Sequence, residues 1–197
     1  MNSETAGGYR CAKERLLQTS RRKAARKLNS TRVGLGTSVM QIRVADRLSF
    51  GDEHECVHHT DGSIAVVHAC KEPCHRRAVG YSTRTIPSQH PHYLVLEQQH
   101  HLYMNLIDPD APLFLMPSFV SFLAFVDREI AERDVLIHCN QGQSRSPSLA
   151  LLYMAKRLGL LPNDSYASAA NVFRLKYPFN PSKGITAWLT KNWTAFN

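Results

Sequence analysis

No stretch of this 197-residue chain approaches the roughly 20 consecutive apolar residues that cross a bilayer as a helix, so an integral membrane protein of that kind is not expected. Cysteine is scarce and odd in number: five residues, with no disulfide-framework regularity in their spacing. The chain also opens without an apolar signal segment, and a reducing, intracellular, cytoplasmic setting is the expectation. There is no internal repeat. Acidic residues are nearly missing from residues 1–39, which hold nine Lys and Arg against Glu4 and Glu14 and so account for seven of the eight net positive charges. The high charge therefore describes this leader and says little about the ligand of the domain beyond it.

Within the leader, Arg21, Arg22, Lys23, Arg26 and Lys27 could touch nucleic acid or an acidic membrane surface, or form an Arg-rich targeting segment. The plainer expectation is a solvated, poorly ordered extension over residues 1–39. Met40, just ahead of the first strand-like run, could itself be a start site. Residues 40–197 suffice for one well-buried domain with one active site.

Along that domain, residues 41–48 place Ile42, Val44 and Leu48 on one parity and read as a strand. Residues 51–62 are polar and His-containing, and read as loop. A β-branched run at 64–69 reads as a second strand, followed by a polar stretch broken by Pro73, Pro87 and Pro91. Two more short strands are expected at 93–97 and 102–107. From Pro117 the period changes: Phe119, Phe122, Leu123, Val126 and Ile130 recur at helical spacing. A buried strand at 135–138 runs into a polar loop and then into a helix with Pro147 in its first turn. That helix is apolar nearly all round, hence central, and Gly159 ends it. Two further helices are expected over about 164–176 and 182–193, with Phe179, Trp188 and Trp193 as core. Early strands, late helices and a strand, loop and helix in the middle predict an α/β fold with one mostly parallel sheet.

The chemistry concentrates between Cys139 and Arg145. A strand ends, seven residues turn, and a helix begins at once; such a turn aims successive backbone N–H groups inward at the positive end of a helix dipole, which makes a cradle for an anion such as phosphate. Asn140, Gln141, Gly142, Gln143 and Ser144 are the expected wall of that cradle, Gly142 supplying the conformational freedom to close it. Arg145 adds a planar fork that pairs with two phosphate oxygens at once. A thiol on the floor of such a nest is favoured as thiolate, which makes Cys139 a nucleophile. Ser146 could hydrogen-bond the sulfur, and His138 could orient the loop from behind.

The run His138-Cys139-x-x-Gly142-x-Ser144-Arg145-Ser146 resembles the signature of the dual-specificity protein phosphatases, within the Cys-x5-Arg protein tyrosine phosphatase superfamily, and the resemblance extends more weakly over residues 40–193. It implies a central sheet of about five strands flanked by helices, and hydrolysis of phosphotyrosine and phosphoserine or phosphothreonine in protein substrates through a phosphocysteine intermediate, without metal or other cofactor. It also implies a general acid in the stretch 105–112, where Asp108 and Asp110 both stand. Relatives often carry an apolar residue four places after the acid, and Phe114 stands in that relation to Asp110, which favours Asp110 with Asp108 as the alternative. In redox-sensitive relatives a cysteine near the place of Cys70 traps the oxidised nucleophile as a disulfide, which makes Cys70 a candidate redox partner; the plain reading is a small buried hydrophobe. Cys70, Cys74 and His75, with the pairs His58, His59 and His100, His101, match no standard zinc spacing, and no metal is expected. The rivals are a related phosphatase of RNA 5′ ends, lipids or sugars, and a catalytically idle phosphate-binding module. The absence of lysine from the loop weighs against phosphoinositides.

Overall fold

The computed structural model describes residues 41–54 and 62–196. The expectations for residues 1–39 and for His58 and His59 lie outside the described residues. Six strands form one sheet: β1 (Ile42–Ala45), β2 (Leu48–Gly51), β3 (Ile64–His68), β4 (Val95–Gln98), β5 (His101–Met104) and β6 (Asp134–His138), in the order β1-β2-β6-β3-β5-β4. The four central strands β2, β6, β3 and β5 are mutually parallel, and an antiparallel partner closes each edge.

The six strands agree with the expected sheet of about five flanked by helices, and one boundary differs. Residues 41–48 do not run as one strand: the chain reverses after Ala45, with Arg47 in the left-handed region (φ 59°), so that Leu48 starts β2 antiparallel to β1. All four residues of β2 are buried, as befits a strand with a neighbour on either side. In the polar stretch broken by Pro73, where no element is expected, the chain winds into two short helical turns at Lys71–His75 and Arg76–Val79, the second here called α1.

The longer helices are α2 (Met116–Glu129), α3 (Arg145–Lys156), α4 (Tyr166–Arg174) and α5 (Lys183–Asn192). Helix α2 opens with Pro117 in its first turn, where a missing N–H costs nothing. Helices α4 and α5 are capped by Ser165 and Ser182, whose hydroxyls accept from the N–H groups of Ser168 and Ile185. Helix α3 is buried over eleven consecutive residues from Arg145 to Ala155, which agrees with its lack of a polar face, and packs on β2 and β6.

Strand alternation sorts the sheet into two unlike faces. Ala65, Val67, Leu102, Met104, Val135, Ile137 and Cys139 join one core with Phe119, Phe122, Leu149, Phe173, Phe179, Trp188 and Trp193 of the helical layer. The residues between them, Val66 and His68 on β3, Leu136 and His138 on β6, and His101 and Tyr103 on β5, are in register on the opposite face. Adjacent residues His138 and Cys139 thus look to opposite sides.

Leu149 is fully buried where α3 meets the sheet. Leu149→Ala is expected to lower unfolding stability by about 2–5 kcal/mol through lost burial and a cavity, read as a shift of the urea midpoint without a change in slope.

Candidate active site

Cys139 lies directly after β6, its N–H donating to the Gly51 carbonyl (3.3 Å), while Ala69 donates to the carbonyl of His138 (2.8 Å). The end of the strand is thus held from both neighbours. The Cys139 Sγ is 3.2 Å from Ser146 Oγ, which also lies 3.0 Å from the Gly51 carbonyl. A hydroxyl has one proton. With a thiol at Cys139 that proton goes to Gly51 and the hydroxyl oxygen accepts S–H; with a thiolate the hydroxyl can turn its proton to the sulfur.

Gly142 sits at φ +66°, and a Cβ there would stand 3.2 Å from the backbone of both Gly51 and Asp52. Two constraints therefore coincide: the turn needs the left-handed region, and the loop passes so close to the end of β2 that a side chain there would push the β2 backbone aside by a few tenths of an ångström. Helix α3 begins immediately afterwards without a side-chain cap, its first internal bond running from Ser148 N–H to Ser144 (3.0 Å). The N–H groups of Arg145 and Ser146 precede that bond and have no carbonyl within the helix to reach.

Arg145 is buried, with one terminal nitrogen donating to the Leu106 carbonyl (2.9 Å) and the other to Asn140 Oδ1 (2.7 Å). Its Nε has no hydrogen-bond partner, the nearest opposite charge being the Asp108 carboxylate at 3.8 Å. Asn140 in turn donates to Glu53 (3.2 Å) and to the carbonyl of Glu72 (2.9 Å). Its side chain therefore positions the guanidinium, a different duty from lining the cradle. The carbonyl of Gln143 accepts from Asn180 N–H, which ties the far side of the loop to the segment before α5.

Of the two candidate carboxylates, Asp108 touches the loop, accepting from Ser144 Oγ (2.9 Å); both residues are exposed. Ser144 Oγ also accepts from Ser182 N–H (3.0 Å), so one hydroxyl joins the acid loop, the cradle and the start of α5. Gly184 completes this junction, because a Cβ there would overlap the carbonyl oxygens of Pro109 and Ala111. The backbone on either side of Asp110 thus lies directly against the first turn of α5. Sequence reasoning missed Gly184; its only local signal was a glycine inside a helix two residues after a good N-cap.

His138 lies behind the loop on the other sheet face, its Nε2 2.7 Å from His68 Nδ1. Cys70 is buried beside the same group. A hydrogen bond from Cys74, aided by the positive fields of His138 and Arg145, outweighs burial and lowers the Cys70 thiol to about 7. No disulfide joins Cys70, Cys74 and Cys139.

No protein-family model matches the chain. Solved structures do resemble it. The human tyrosine phosphatase-like serine/threonine/tyrosine-interacting protein superposes with a TM-score of 0.55 at 16% identity, over 79% of this chain and 97% of that one. A variant of human DUSP28 gives 0.52 at 21% identity, over 79% and 94%. The Yvh1 phosphatase domain from Chaetomium thermophilum gives 0.51 at 16% identity, over 80% and 96%. The chain has the fold of the dual-specificity phosphatases.

Gly142→Ala is expected to add about 1–3 kcal/mol of backbone strain to the cradle and to weaken binding of vanadate, measured by calorimetry, by roughly tenfold or more.

Proposed function

We propose that this chain is a cysteine-dependent phosphatase of the dual-specificity type that hydrolyses phosphotyrosine and phosphoserine or phosphothreonine esters of proteins in the cytoplasm. The observation that carries the proposal is the buried Arg145 at the uncapped start of α3, whose Nε has no hydrogen-bond acceptor and only the Asp108 carboxylate at 3.8 Å. A buried cationic donor without an acceptor is costly unless an anion completes it. A tetrahedral oxyanion fits there, its oxygens taken by Arg145 and the loop N–H groups and its central atom in front of the sulfur.

In the first step the Cys139 thiolate attacks phosphorus in line, the S–P bond forms, and the ester P–O bond breaks as a carboxylic acid gives its proton to the departing oxygen. In the second, water attacks the phosphocysteine, its proton passes to the same carboxylate, and the S–P bond breaks with its electron pair returning to sulfur. Ser146 donates to that sulfur as it leaves, from 3.2 Å. His138 acts on the loop through the strand and is a positioning residue.

Asp110 is the proposed acid. Asp108 is engaged with Ser144 and Arg145, which suits an anchor for the acid loop and leaves the proton transfer to Asp110. Phosphoprotein as substrate rests on Ser144 and Ser146 flanking Arg145 and on the lack of lysine in the loop. The basic leader keeps RNA 5′ ends as the competing substrate. Cys70, next to the strand pair that ends in Cys139, is the proposed redox partner: peroxide oxidises Cys139 to the sulfenic acid with loss of water, and the Cys70 thiolate displaces hydroxide to form the disulfide.

Turnover of p-nitrophenyl phosphate is expected to vanish in Cys139→Ser. On phenyl phosphate, whose leaving group needs a proton, Asp110→Asn should lose about 10²–10⁴-fold and Asp108→Asn far less; the reverse order would make Asp108 the acid. A panel of phosphopeptides, phosphoinositides and triphosphorylated RNA is expected to show preference for peptides. A chain that binds vanadate yet turns over none of these is a binding module. Mild peroxide followed by peptide mapping should give a Cys70 to Cys139 linkage; a Cys70 to Cys74 linkage instead refutes the redox role.

A further inference from the structure

Zinc spacing is not visible in the sequence, because the residues that come together are brought from three distinct elements. His68 ends β3, Cys74 stands in the turn Lys71–His75, and His138 ends β6. One donor atom from each lies within 4.8 Å of the others, and all three residues are buried. We propose that His68, Cys74 and His138 form a zinc site on the sheet face opposite the nucleophile. This goes beyond the phosphatase reading and does not depend on it.

The donor set decides the metal. Two imidazole nitrogens and a thiolate suit zinc over magnesium or calcium, which take oxygen ligands. Around tetrahedral zinc, two nitrogens stand about 3.3 Å apart and a nitrogen and a sulfur about 3.6 Å. His68 Nδ1 and His138 Nε2 are 2.7 Å apart, and Cys74 Sγ is 3.9 Å from His138 Nε2. Opening the first pair by about 0.6 Å, and drawing the sulfur toward His68, from which it lies within 4.8 Å, produces the required triangle. In the metal-free protein a shared proton holds the two rings together, and zinc takes that proton's place.

A ligating histidine is usually held by a partner on its other nitrogen. With Nδ1 of His68 on the metal, its ring proton sits on Nε2, which faces His101 Nδ1 at 3.0 Å. Tyr103 stacks on the His68 ring at 4.2 Å between centroids and restricts its rotation. The ring is therefore held before any ion arrives. His68 and Cys74 also line a cavity of about 710 Å³ with Glu53, Arg77, His101 and Tyr103, which gives the ion an entry path and leaves room for water in the fourth position. This cavity does not include Cys139 in its lining.

Such an ion would cross-link β3, β6 and the turn after β3, immediately behind the start of the phosphate loop. The test is cobalt substitution of the full-length chain. Wild-type protein and Cys139→Ser should each bind one Co²⁺, with the intense visible bands of tetrahedral cobalt and a thiolate charge-transfer band in the near ultraviolet, displaced by Zn²⁺. Cys74→Ser should lose the charge-transfer band, and Zn²⁺ should raise the melting temperature of the wild type but not of this variant. His68→Asn keeps the thiol and should weaken binding by about 10-fold or more, which preserves the test should Cys74→Ser not fold. A spectrum lost in Cys139→Ser and kept in Cys74→Ser would place the metal on the nucleophile, and absence of a thiolate band in wild type would place it on oxygen and nitrogen ligands elsewhere; either result overturns the proposal.

Discussion

The uncapped first turn of helix α3 is the constraint on which the candidate site depends. Serine at an N-cap ordinarily spends its hydroxyl on the helix, as Ser165 and Ser182 do. Ser144 instead spends its hydroxyl on Asp108 and on the N–H of Ser182. The start of the helix is thereby left with its dipole and its first N–H groups uncompensated, with a buried guanidinium added to the same place. Positive potential concentrated in this way, at a spot walled by backbone, favours an anion, and the sulfur of Cys139 lies at its base. A single strand-to-helix transition thus supplies a thiol, a cation and unpaired N–H donors, the parts the proposed reaction requires, because a short loop ending in a helix N-terminus directs many donors to one point.

Period-two alternation of β6 then separates two kinds of chemistry that adjoin in sequence. Cys139 faces the helical layer and joins its core, whereas His138 faces the layer of His68, His101 and Tyr103. The imidazole of His138 therefore faces away from the Cys139–Arg145 loop and is linked to Cys139 through the shared backbone. Arg145 and His138 also add to the field felt by Cys70, and with the hydrogen bond from Cys74 they hold a fully buried thiol below its ordinary value.

What was legible in the sequence is what is local. The loop from Cys139 to Arg145 could be read because strand, turn and helix N-terminus succeed one another within a dozen residues, and helices α2 to α5 could be read because their apolar periods are long and their starts marked by Pro117, Pro147 and serine caps. The hairpin at Arg47 was missed because the apolar parity of Ile42, Val44 and Leu48 continues across a reversal that no glycine or proline announces. The close approach at Gly184 and the grouping of His68, Cys74 and His138 were not readable for a different reason: each depends on segments far apart in the chain, and only sheet register and helix docking bring them together. The contact of Asp108 with Ser144 belongs to the same class, since two residues of spacing say nothing about which carboxylate meets that hydroxyl.

The contact between Asp108 and Arg145 bears on how a phosphate would enter. At 3.8 Å the pair is too long for a hydrogen bond, and the Asp108 side chain is about one quarter exposed, so water screens much of the attraction. An arriving dianion offers Arg145 two oxygens in one plane and offers the Nε its missing acceptor, a better match than the single distant carboxylate. It also sets negative charge beside Asp108, which must then move away or be screened. Ser144 holds Asp108 by its other oxygen, and Gly184 lets the backbone of residues 109 and 111 rest directly on α5. Asp108 is thus tied to the Cys139–Arg145 loop, and the backbone on either side of Asp110 is seated on α5, so the two carboxylates stand in different mechanical settings although only one residue separates them.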